Sequence, residues 1–280
     1  MSDGNGSGSV NYQAASPLLG LTYHASDSVN LYANYGKGFE TPTLAEIAYG
    51  GEGTPAFNTA INASRSQHYE LGAKWAPSAR SRVDFTLFQI DSTDEIVVSS
   101  SNGGNSTFKN VPGTQRTGWE LAGSSLLTAH WRATLAASRT DATFSRAFTS
   151  GASNVASGNK IPGIPQYFLF SELLWSGQSL DDANRLTKLG SQAGIEFTQS
   201  GRLYANDTNT ASADGYATVN AKFSHGWAMG AGSLTAYARV DNLTDEHYVG
   251  SVIVNQASSQ FYEPAPGRNW TLGLRLILPL

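Results

Sequence analysis

The feature that most constrains this chain is a strict alternation of apolar and other side chains, which recurs in segments along its whole length. It is clearest at the C-terminus, where every second residue from Trp270 to Leu280 is apolar. Successive side chains of a strand point to opposite faces, so these residues share one face, whereas a helix would place Leu272 opposite Trp270 and Leu274. The alternation therefore predicts a β-strand with one apolar face.

The same period predicts about eleven strands in the whole chain. The apolar faces begin at Leu19, Val29, Tyr69, Val83, Trp119, Trp131, Ala193, Ala217, Leu234 and Trp270, and a further segment, 165–176, is apolar on both faces. Such a series of strands, without a helical period between them, predicts an all-β chain.

The connections between these strands alternate between short and long. Short ones fall at 26–28, 77–80, 128–129 and 227–232, and long ones at 39–64, 92–114, 144–164, 201–214 and 244–266; only 177–188 departs from the rule. In an antiparallel meander this places the tight turns at one end and the long loops at the other. That arrangement is typical of barrels in the bacterial outer membrane.

Membrane insertion through a helix is not indicated, because no apolar run approaches the ~20 residues that a spanning helix needs. Strands can cross a bilayer only as a closed barrel, which pairs every backbone N–H and C=O group. The aromatic residues Tyr23, Trp75, Trp131, Trp175 and Trp227 lie beside short connections, and Trp119 and Trp270 beside long ones. These would form two interfacial girdles. A soluble sandwich or propeller also places tryptophan at strand ends and remains the alternative.

Composition and motifs argue against several classes of function. A net charge of −4 without a basic cluster argues against a nucleic-acid partner. The absence of cysteine removes thiolate metal sites, and the histidines show no metal-ligand spacing. His247 lies near Asp241, Asp245 and Glu246, but no nucleophile is fixed beside it. The sequence therefore predicts neither an enzyme, nor a cofactor, nor a protein-bound metal.

Several stretches resemble TonB-dependent receptors, the 22-stranded family of siderophore, haem and vitamin transporters. The stretches are Leu31–Ile47 with its aromatic-Gly-Phe and proline turn, the Tyr-Glu-Leu-Gly strand within His68–Trp75, Gly118–Glu120, Gly158–Pro165, and Val240–Tyr248 followed by Pro266–Trp270. Their order and spacing carry the resemblance, which covers nearly the whole chain.

The resemblance implies a division of the chain. Residues 17–280 would be the C-terminal half of the barrel, strands 12 to 22, and residues 1–16 a flexible remnant of an outer loop. The plug domain, its coupling segment for TonB and the first half of the barrel would be absent. The family usually ends in Phe or Trp, which acts in an assembly signal, whereas this chain ends in Leu280 after Pro279.

The resemblance also implies a function: uptake of a ferric siderophore or similar iron chelate across the outer membrane, powered by the TonB system through the plug. Alternatives are a receptor for haem, cobalamin or another chelate, an outer-membrane hydrolase, and a soluble β-structure that binds carbohydrate. Aromatic, amide and guanidinium groups suit an iron–siderophore complex. Position in the outer loops makes Tyr49, Phe57, Asn206, Tyr262 and Arg268 the candidate ligand-binding residues. Strand parity places six further residues on the lumen side, where they would face the plug: Glu70, Lys74, Glu120, Arg132, Arg239 and Arg275.

A half-barrel would leave the edges at 17–25 and 267–279 unpaired in hydrocarbon, at several kcal/mol for each backbone group. The 280 residues expressed alone are therefore expected to aggregate. A monodisperse, heat-modifiable species in detergent would contradict this expectation.

Overall fold

A computed structural model of the chain describes residues 9–48, 58–180, 189–230 and 232–278. The elements in chain order are β1 (Leu18–Ser26), β2 (Val29–Glu40), α1 (Leu44–Ala48), β3 (Ser64–Ser78), β4 (Ser81–Thr93), β5 (Glu95–Asn102), β6 (Asn105–Val111), β7 (Thr114–Thr128), β8 (Trp131–Phe144), β9 (Phe148–Ser150), β10 (Ser153–Val155), β11 (Tyr167–Ser176), β12 (Gly190–Ser200), β13 (Leu203–Tyr204), β14 (Ser212–Ala213), β15 (Tyr216–Met229), β16 (Gly232–Asp241), β17 (Val249–Val252), β18 (Tyr262–Pro264) and β19 (Asn269–Ile277). Among the described residues, no helix has the length and apolar character needed to cross a membrane.

Eleven strands form one antiparallel sheet in the order β1-β2-β3-β4-β7-β8-β11-β12-β15-β16-β19. Each strand pairs with the sheet strands that precede and follow it in sequence, so the sheet is a meander. This confirms the predicted all-β fold and the predicted number of strands. A sandwich or propeller would divide the strands among facing or radiating sheets, and that alternative is wrong for this chain.

The strand register brings the predicted apolar residues onto one face of the sheet. Leu31 lies opposite Tyr23 on one side and Ala73 on the other, and Ala73 lies opposite Phe85. Many of these side chains are exposed, for example Leu21 at 70% and Ile195 at 60%. No second layer covers this apolar face among the described residues, as expected for a sheet whose apolar side meets lipid.

The two ends of the sheet differ as the connections predict. Tight turns join β1 to β2, β3 to β4 and β7 to β8 at one end, called the short-turn end. Trp75, Trp131 and Trp227 lie near this end, partly exposed on the apolar face. The predicted exception, 177–188, falls largely outside the described residues, as do Pro279 and Leu280.

The opposite, long-loop end contains structure that the alternation does not predict. Four of the long connections contain a two-stranded hairpin each, β5–β6, β9–β10, β13–β14 and β17–β18, and a fifth contains α1. Most of these strands have two to four residues, too few for a two-residue period to be recognised. The segment before β1, from residue 9, has no regular structure, and Tyr12 donates a hydrogen bond from its hydroxyl to the carbonyl of Ile61 (2.9 Å).

A hydrophobic core lies at this end and not in the middle of the sheet. Its buried members are Val111, Ala142, Phe144, Val155 and Ile161, against which Val97, Phe148 and Ile164 pack. Phe144 is fully buried, and its ring meets that of Phe148 edge-on at 4.9 Å between centroids. The long loops therefore pack on one another as a small domain above the sheet.

Candidate functional site

The face of the sheet opposite the apolar one is called the polar face, and its strands carry charged residues toward one another. A ladder of ion pairs crosses five neighbouring strands, β8, β11, β12, β15 and β16. Its members are Arg132–Glu172 (3.9 Å), Lys222–Glu172 (2.7 Å), Lys222–Glu196 (2.6 Å), Arg239–Glu196 (2.7 Å) and Arg239–Asp241 (2.7 Å). Cations and carboxylates alternate and are equal in number, so the ladder is neutral overall.

A glycine makes the centre of this ladder possible. Lys222 on β15 must cross β12 to reach Glu172 on β11, and the residue of β12 opposite Lys222 is Gly194. A Cβ atom at Gly194 would lie 2.9 Å from Cε of Lys222. A larger residue there would displace the lysine stem from its present path between the two carboxylates.

A second polar cluster occupies β2, β3 and β4. Tyr32 places its hydroxyl 2.6 Å from Oγ1 of Thr86, and Asn34 donates its amide to Glu70 (3.1 Å). The Lys74 ammonium lies 5.3 Å from the centre of the Tyr32 ring, a cation–π distance. Hydrogen bonds and ring contacts thus fix these side chains across the polar face.

The residues predicted to face the plug divide into two groups. Glu70, Lys74, Arg132 and Arg239 take part in the contacts described above. The side chains of Glu120 and Arg275 are exposed and form no hydrogen bond or ion pair with any residue in the described part of the chain. Their cross-strand neighbours on the polar face are Thr86 and Thr235. Arg132 also keeps its Nε buried without a partner among the described residues. These groups remain available to another surface.

At the long-loop end, Asp207 joins four loops. Its side chain is nearly buried and accepts hydrogen bonds from Nζ of Lys109 (3.0 Å) and Nδ2 of Asn255 (3.0 Å), and its carbonyl accepts one from Asn159 (2.9 Å). Lys109 lies on β6, Asn159 follows β10 and Asn255 follows β17. Asp207 therefore ties the loop domain together, with its carboxylate bound to Lys109 and Asn255 and its backbone carbonyl bound to Asn159.

Asn255 completes the network through its backbone and its amide. Its Nδ2 also donates to the carbonyl of Val98 (2.8 Å), its N–H donates to that of Ala205 (3.0 Å), and its carbonyl accepts from Ser101 (3.1 Å). Its φ of 52° lies in the left-handed region, which asparagine tolerates better than most residues. A left-handed asparagine allows one residue to bond to two neighbouring hairpins.

A second charged contact anchors the first outer hairpin to the sheet. Glu95, at the start of β5, accepts two hydrogen bonds from the Arg116 guanidinium, at 2.8 and 2.5 Å. Burial opposes ionisation of Glu95, but the hydrogen bonds and charge of Arg116 outweigh it and lower the pKa of Glu95. Its contribution to stability is therefore present above the ordinary carboxyl pKa and is lost as the pH falls through the lowered pKa.

Three of the predicted ligand-binding residues lie in the described ranges, Asn206, Tyr262 and Arg268; they belong to the long-loop end, but their surroundings differ. The side-chain oxygen Oδ1 of Asn206 accepts hydrogen bonds from the backbone N–H groups of Thr210 (3.0 Å) and Ala211 (3.3 Å), so this side chain shapes its own turn. The Tyr262 hydroxyl donates to the carbonyl of Ser212 (3.1 Å), while nearly half of the residue is exposed. Tyr262 thereby holds the β17–β18 hairpin against the β13–β14 hairpin.

Arg268 lies apart from these two hairpins, close to the start of β19. Its guanidinium lies 3.7 Å from Asp245, and its backbone N–H donates to the same carboxylate (2.8 Å). This N–H, the guanidinium charge and His247 lower the pKa of Asp245. Tyr49 and Phe57 fall outside the described residues. Within the described ranges, no three His, Cys, Asp or Glu residues gather as a metal-ligand group.

Sequence reasoning missed Asp207, Asn255 and Lys109, which organise the loop domain. The run Asn206–Thr210 has the composition of a turn, and Asn and Asp side chains often bond to backbone in turns. That signal could have placed a turn here. Nothing local to residue 207 indicates that its carboxylate is buried, because its partners lie 48 or more residues away in the sequence.

We predict that Asp207→Ala loosens the loop domain, because it leaves Lys109 and Asn255 without their shared acceptor. Removing one partner of a buried pair costs about 3–5 kcal/mol. Hydrogen exchange of the backbone amides, followed by mass spectrometry, should show faster exchange in all four loops. The matched control is Asp214→Ala, which removes a pair with Arg202 that is largely exposed and should have little effect. Equal exchange in the two variants would contradict the role of Asp207.

Comparison with known proteins agrees with this architecture. The family model of the TonB-dependent receptor-like β-barrel matches residues 2–243. Solved structures with the same fold include the ferric preacinetobactin receptor BauA of Acinetobacter baumannii (18% identity, TM-score 0.65) and the ferric yersiniabactin uptake receptor FyuA of Yersinia pestis (21%, 0.64), each matched over 92% of this chain. The copper transporter OprC is similar as well (17% identity, 93% of this chain, TM-score 0.64).

The chain spans only 36% of the length of BauA and of FyuA, and 38% of that of OprC. The members of this family are receptors and transporters of the Gram-negative outer membrane, not enzymes. The matched residues, the eleven-stranded meander and the long loops at one end lead to one conclusion: the chain belongs to the TonB-dependent receptor family and forms part of its β-barrel.

Proposed function

We propose that this chain is the C-terminal half of an outer-membrane receptor that imports a ferric siderophore or a similar iron chelate. Residues 17–280 would supply strands 12 to 22 of the barrel, and residues 1–16 the end of a preceding outer loop. The observation that carries the proposal is a face of the sheet crossed by a ladder of ion pairs, beneath a packed loop domain. Such a barrel has a wet lumen and a structured outer mouth. The ferric receptors among the similar structures support iron as the cargo.

In this proposal the polar face surrounds a plug that the remainder of the receptor supplies. Glu120 and Arg275 would pair with charged or polar groups of the plug, because neither has a partner within the described sheet. Glu70, Lys74, Arg132 and Arg239 would add contacts while holding the sheet side chains in place. Energy from the TonB system, acting on the plug, would then open the path inward.

The chelate would bind at the long-loop end, where the loop domain presents rigid side chains. The partly exposed ring of Tyr262 can stack on a planar chelating group, and Arg268 can pair with an anionic one. Tyr49, Phe57 and Asn206 are further proposed contacts. Asn206 would contact the chelate from the turn that its own side chain stabilises. Iron arrives already coordinated, so this surface recognises the organic shell and needs no metal ligands of its own.

The test is uptake by the whole receptor in a Gram-negative strain that lacks its own siderophore receptors. The panel should include radiolabelled ferric siderophores, haem, cobalamin and copper. We expect uptake of at least one ferric siderophore, and loss of that uptake when TonB is deleted. Uptake restricted to haem, cobalamin or copper would reassign the cargo. Absence of TonB-dependent uptake across the panel would contradict the transport function.

We predict that Tyr262→Ala weakens binding of the transported siderophore by about tenfold, as expected for an aromatic anchor at an interface. The matched variant is Tyr262→Phe, which keeps the ring but loses the hydrogen bond to Ser212. If stacking is the role of Tyr262, Phe should bind almost as well as Tyr in equilibrium titration of the purified receptor. Loss of binding in both variants would show that the residue only positions the hairpin.

We predict that Arg275→Glu weakens seating of the plug and makes the whole receptor more permeable to small solutes. Arg275 is the better site for charge reversal, because Arg239→Glu would also break its pairs with Glu196 and Asp241. Arg275→Gln serves as the graded control, since it removes the charge without introducing repulsion. Liposome swelling or antibiotic sensitivity measures the permeability. Unchanged permeability in Arg275→Glu would refute the contact with the plug.

A further inference from the structure

The polar face of the sheet is not uniform, because its charged residues are satisfied in different ways. On β8, β11, β12, β15 and β16 the ion-pair ladder joins three cations to three carboxylates of the sheet itself. Its central member, Glu196, accepts hydrogen bonds from both Lys222 (2.6 Å) and Arg239 (2.7 Å). The polar face of these five strands is called the ladder wall.

The ladder keeps its partners whatever surface lies against it. The side chains of Glu172 and Glu196 are 12% and 9% exposed, whereas that of Lys222, which joins them, is 34% exposed. Removing one partner of a partly buried ion pair is costly, because the charge that remains loses its compensation. A neighbouring surface can leave the ladder wall without this cost, since every ladder charge retains a partner within the sheet.

The strands on either side of the ladder wall differ from it. Glu120 lies on β7, the neighbour of β8, and Arg275 lies on β19, the neighbour of β16. Both side chains are exposed without a hydrogen bond or ion pair inside the described ranges, and their cross-strand neighbours Ser138 and Thr235 carry no charge. A plug that pairs with Glu120 and Arg275 would lose those pairs on moving away from β7 or β19. The plug is therefore held most firmly on the two flanks of the ladder wall.

Two rows of uncharged side chains connect the ladder to the loop domain. Phe168 and Phe170 precede Glu172 on β11 by four and two residues, so all three share the polar face, and both rings lie on the long-loop side of the ladder. The register across β8, β11, β12 and β15 gives the rows Ala136, Phe170, Thr198, Thr218 and Ser138, Phe168, Ser200, Tyr216. A ligand that descends along these strands meets no charge of the sheet in these rows before it reaches the ladder.

The ladder wall is also wide enough for a small ligand. Neighbouring strands lie about 4.8 Å apart, so the intervals from β8 to β16 add up to about 19 Å. Ligand sites in proteins have volumes of about 300–1,000 Å³, which corresponds to about 7–10 Å across. A chelate of that size fits between the two flanks.

We propose that, within this half of the barrel, the cargo passes between the plug and the ladder wall, along β8, β11, β12 and β15, while the plug stays attached at Glu120 and Arg275. The plug separates first where no charge of the sheet loses a partner. The chelate then passes the uncharged rows and crosses a ladder of zero net charge, which neither traps nor repels an ionic cargo strongly. This inference rests on the proposed transport function and adds the wall that the cargo follows.

The test is site-directed thiol labelling of the whole receptor in living cells. The 280 residues contain no cysteine, and any cysteine elsewhere in the receptor is first replaced. Thr198→Cys reports on the ladder wall. The matched controls are Ala122→Cys on β7, which shares the row of Thr198 through Ala136, and Thr271→Cys on β19. Both controls lie on the polar face, close to Glu120 and Arg275 respectively.

The measurement is the rate of labelling by a hydrophilic maleimide, with and without TonB and with and without the ferric siderophore that the receptor takes up. We expect the siderophore to raise the rate at Thr198→Cys by about tenfold when TonB is present, equivalent to a shift of about 1.4 kcal/mol toward the open path. The two control rates should change little. An equal change at all three positions, a change confined to the controls, or no change anywhere despite normal uptake would overturn the proposed path.

The role of the ladder is tested by Lys222→Gln, which leaves Glu172 and Glu196 without their shared cation. These carboxylates should then take partners from the plug, so uptake should fall about tenfold, the effect of one added charge-assisted contact. Binding of the siderophore to the purified receptor should not change, and Lys222→Arg should restore uptake. The matched control, Arg82→Gln, removes an exposed ion pair outside the ladder wall and should transport normally. Normal uptake by Lys222→Gln would refute the role of the ladder.

Failure of the path and failure of the transport function give different results. TonB-dependent uptake with labelling that changes only on β7 or β19 overturns the path and leaves the transport function intact. The absence of uptake together with the absence of TonB-dependent labelling at all three positions contradicts transport, and the path with it. Heat-modifiable migration verifies that each variant is folded.

Discussion

The constraint on which this structure depends is the pairing of backbone groups where no water is available. Hydrocarbon offers no partner to an N–H or C=O group, so each strand must hydrogen-bond to a neighbour along its length. Pairing with the next strand in sequence meets this requirement with the shortest connections. The result is the uninterrupted order of eleven strands, with ladders that are interrupted only by register shifts beside the tight turns of three pairs. The alternation of side chains follows, because one face then meets lipid and the other a lumen.

Because one face of the sheet meets lipid, the interactions that stabilise the protein lie among the long loops and on the polar face. Side chains such as Leu21 and Leu71 point away from the protein and are mostly exposed. The hydrophobic core forms instead around Phe144, among the long loops. On the polar face, charged residues satisfy one another in a ladder centred on Glu196, which is 7% exposed. Its two cations come from neighbouring strands, so the ladder also fixes the register of β12, β15 and β16.

The sequence predicts the parts of this fold that repeat and leaves the rest unresolved. Strands of nine to fifteen residues, apart from β11, show the two-residue period clearly, and it predicts their faces. The two-residue strands β13 and β14 show no period at all. Parity assigned Arg132 and Arg239 to the polar face but could not reveal that both pair within the sheet. Asp207 escaped prediction because its partners come from three loops that are distant in the sequence. The local sequence pattern thus predicts the face to which a side chain points, whereas the residues that it contacts depend on the whole fold.

The packed loop domain bears on how a receptor of this family could change its cargo. Asp207, Asn255 and the core around Phe144 hold the loops without using the side chains that face outward at the mouth. A rigid surface loses little conformational entropy when a ligand binds, so a few exposed side chains can determine affinity. These exposed positions can vary while the strands below keep their pairing. The ferric yersiniabactin uptake receptor and the copper transporter OprC share this fold, so the fold does not identify the cargo, and we propose that exposed residues such as Tyr262 do so in this chain.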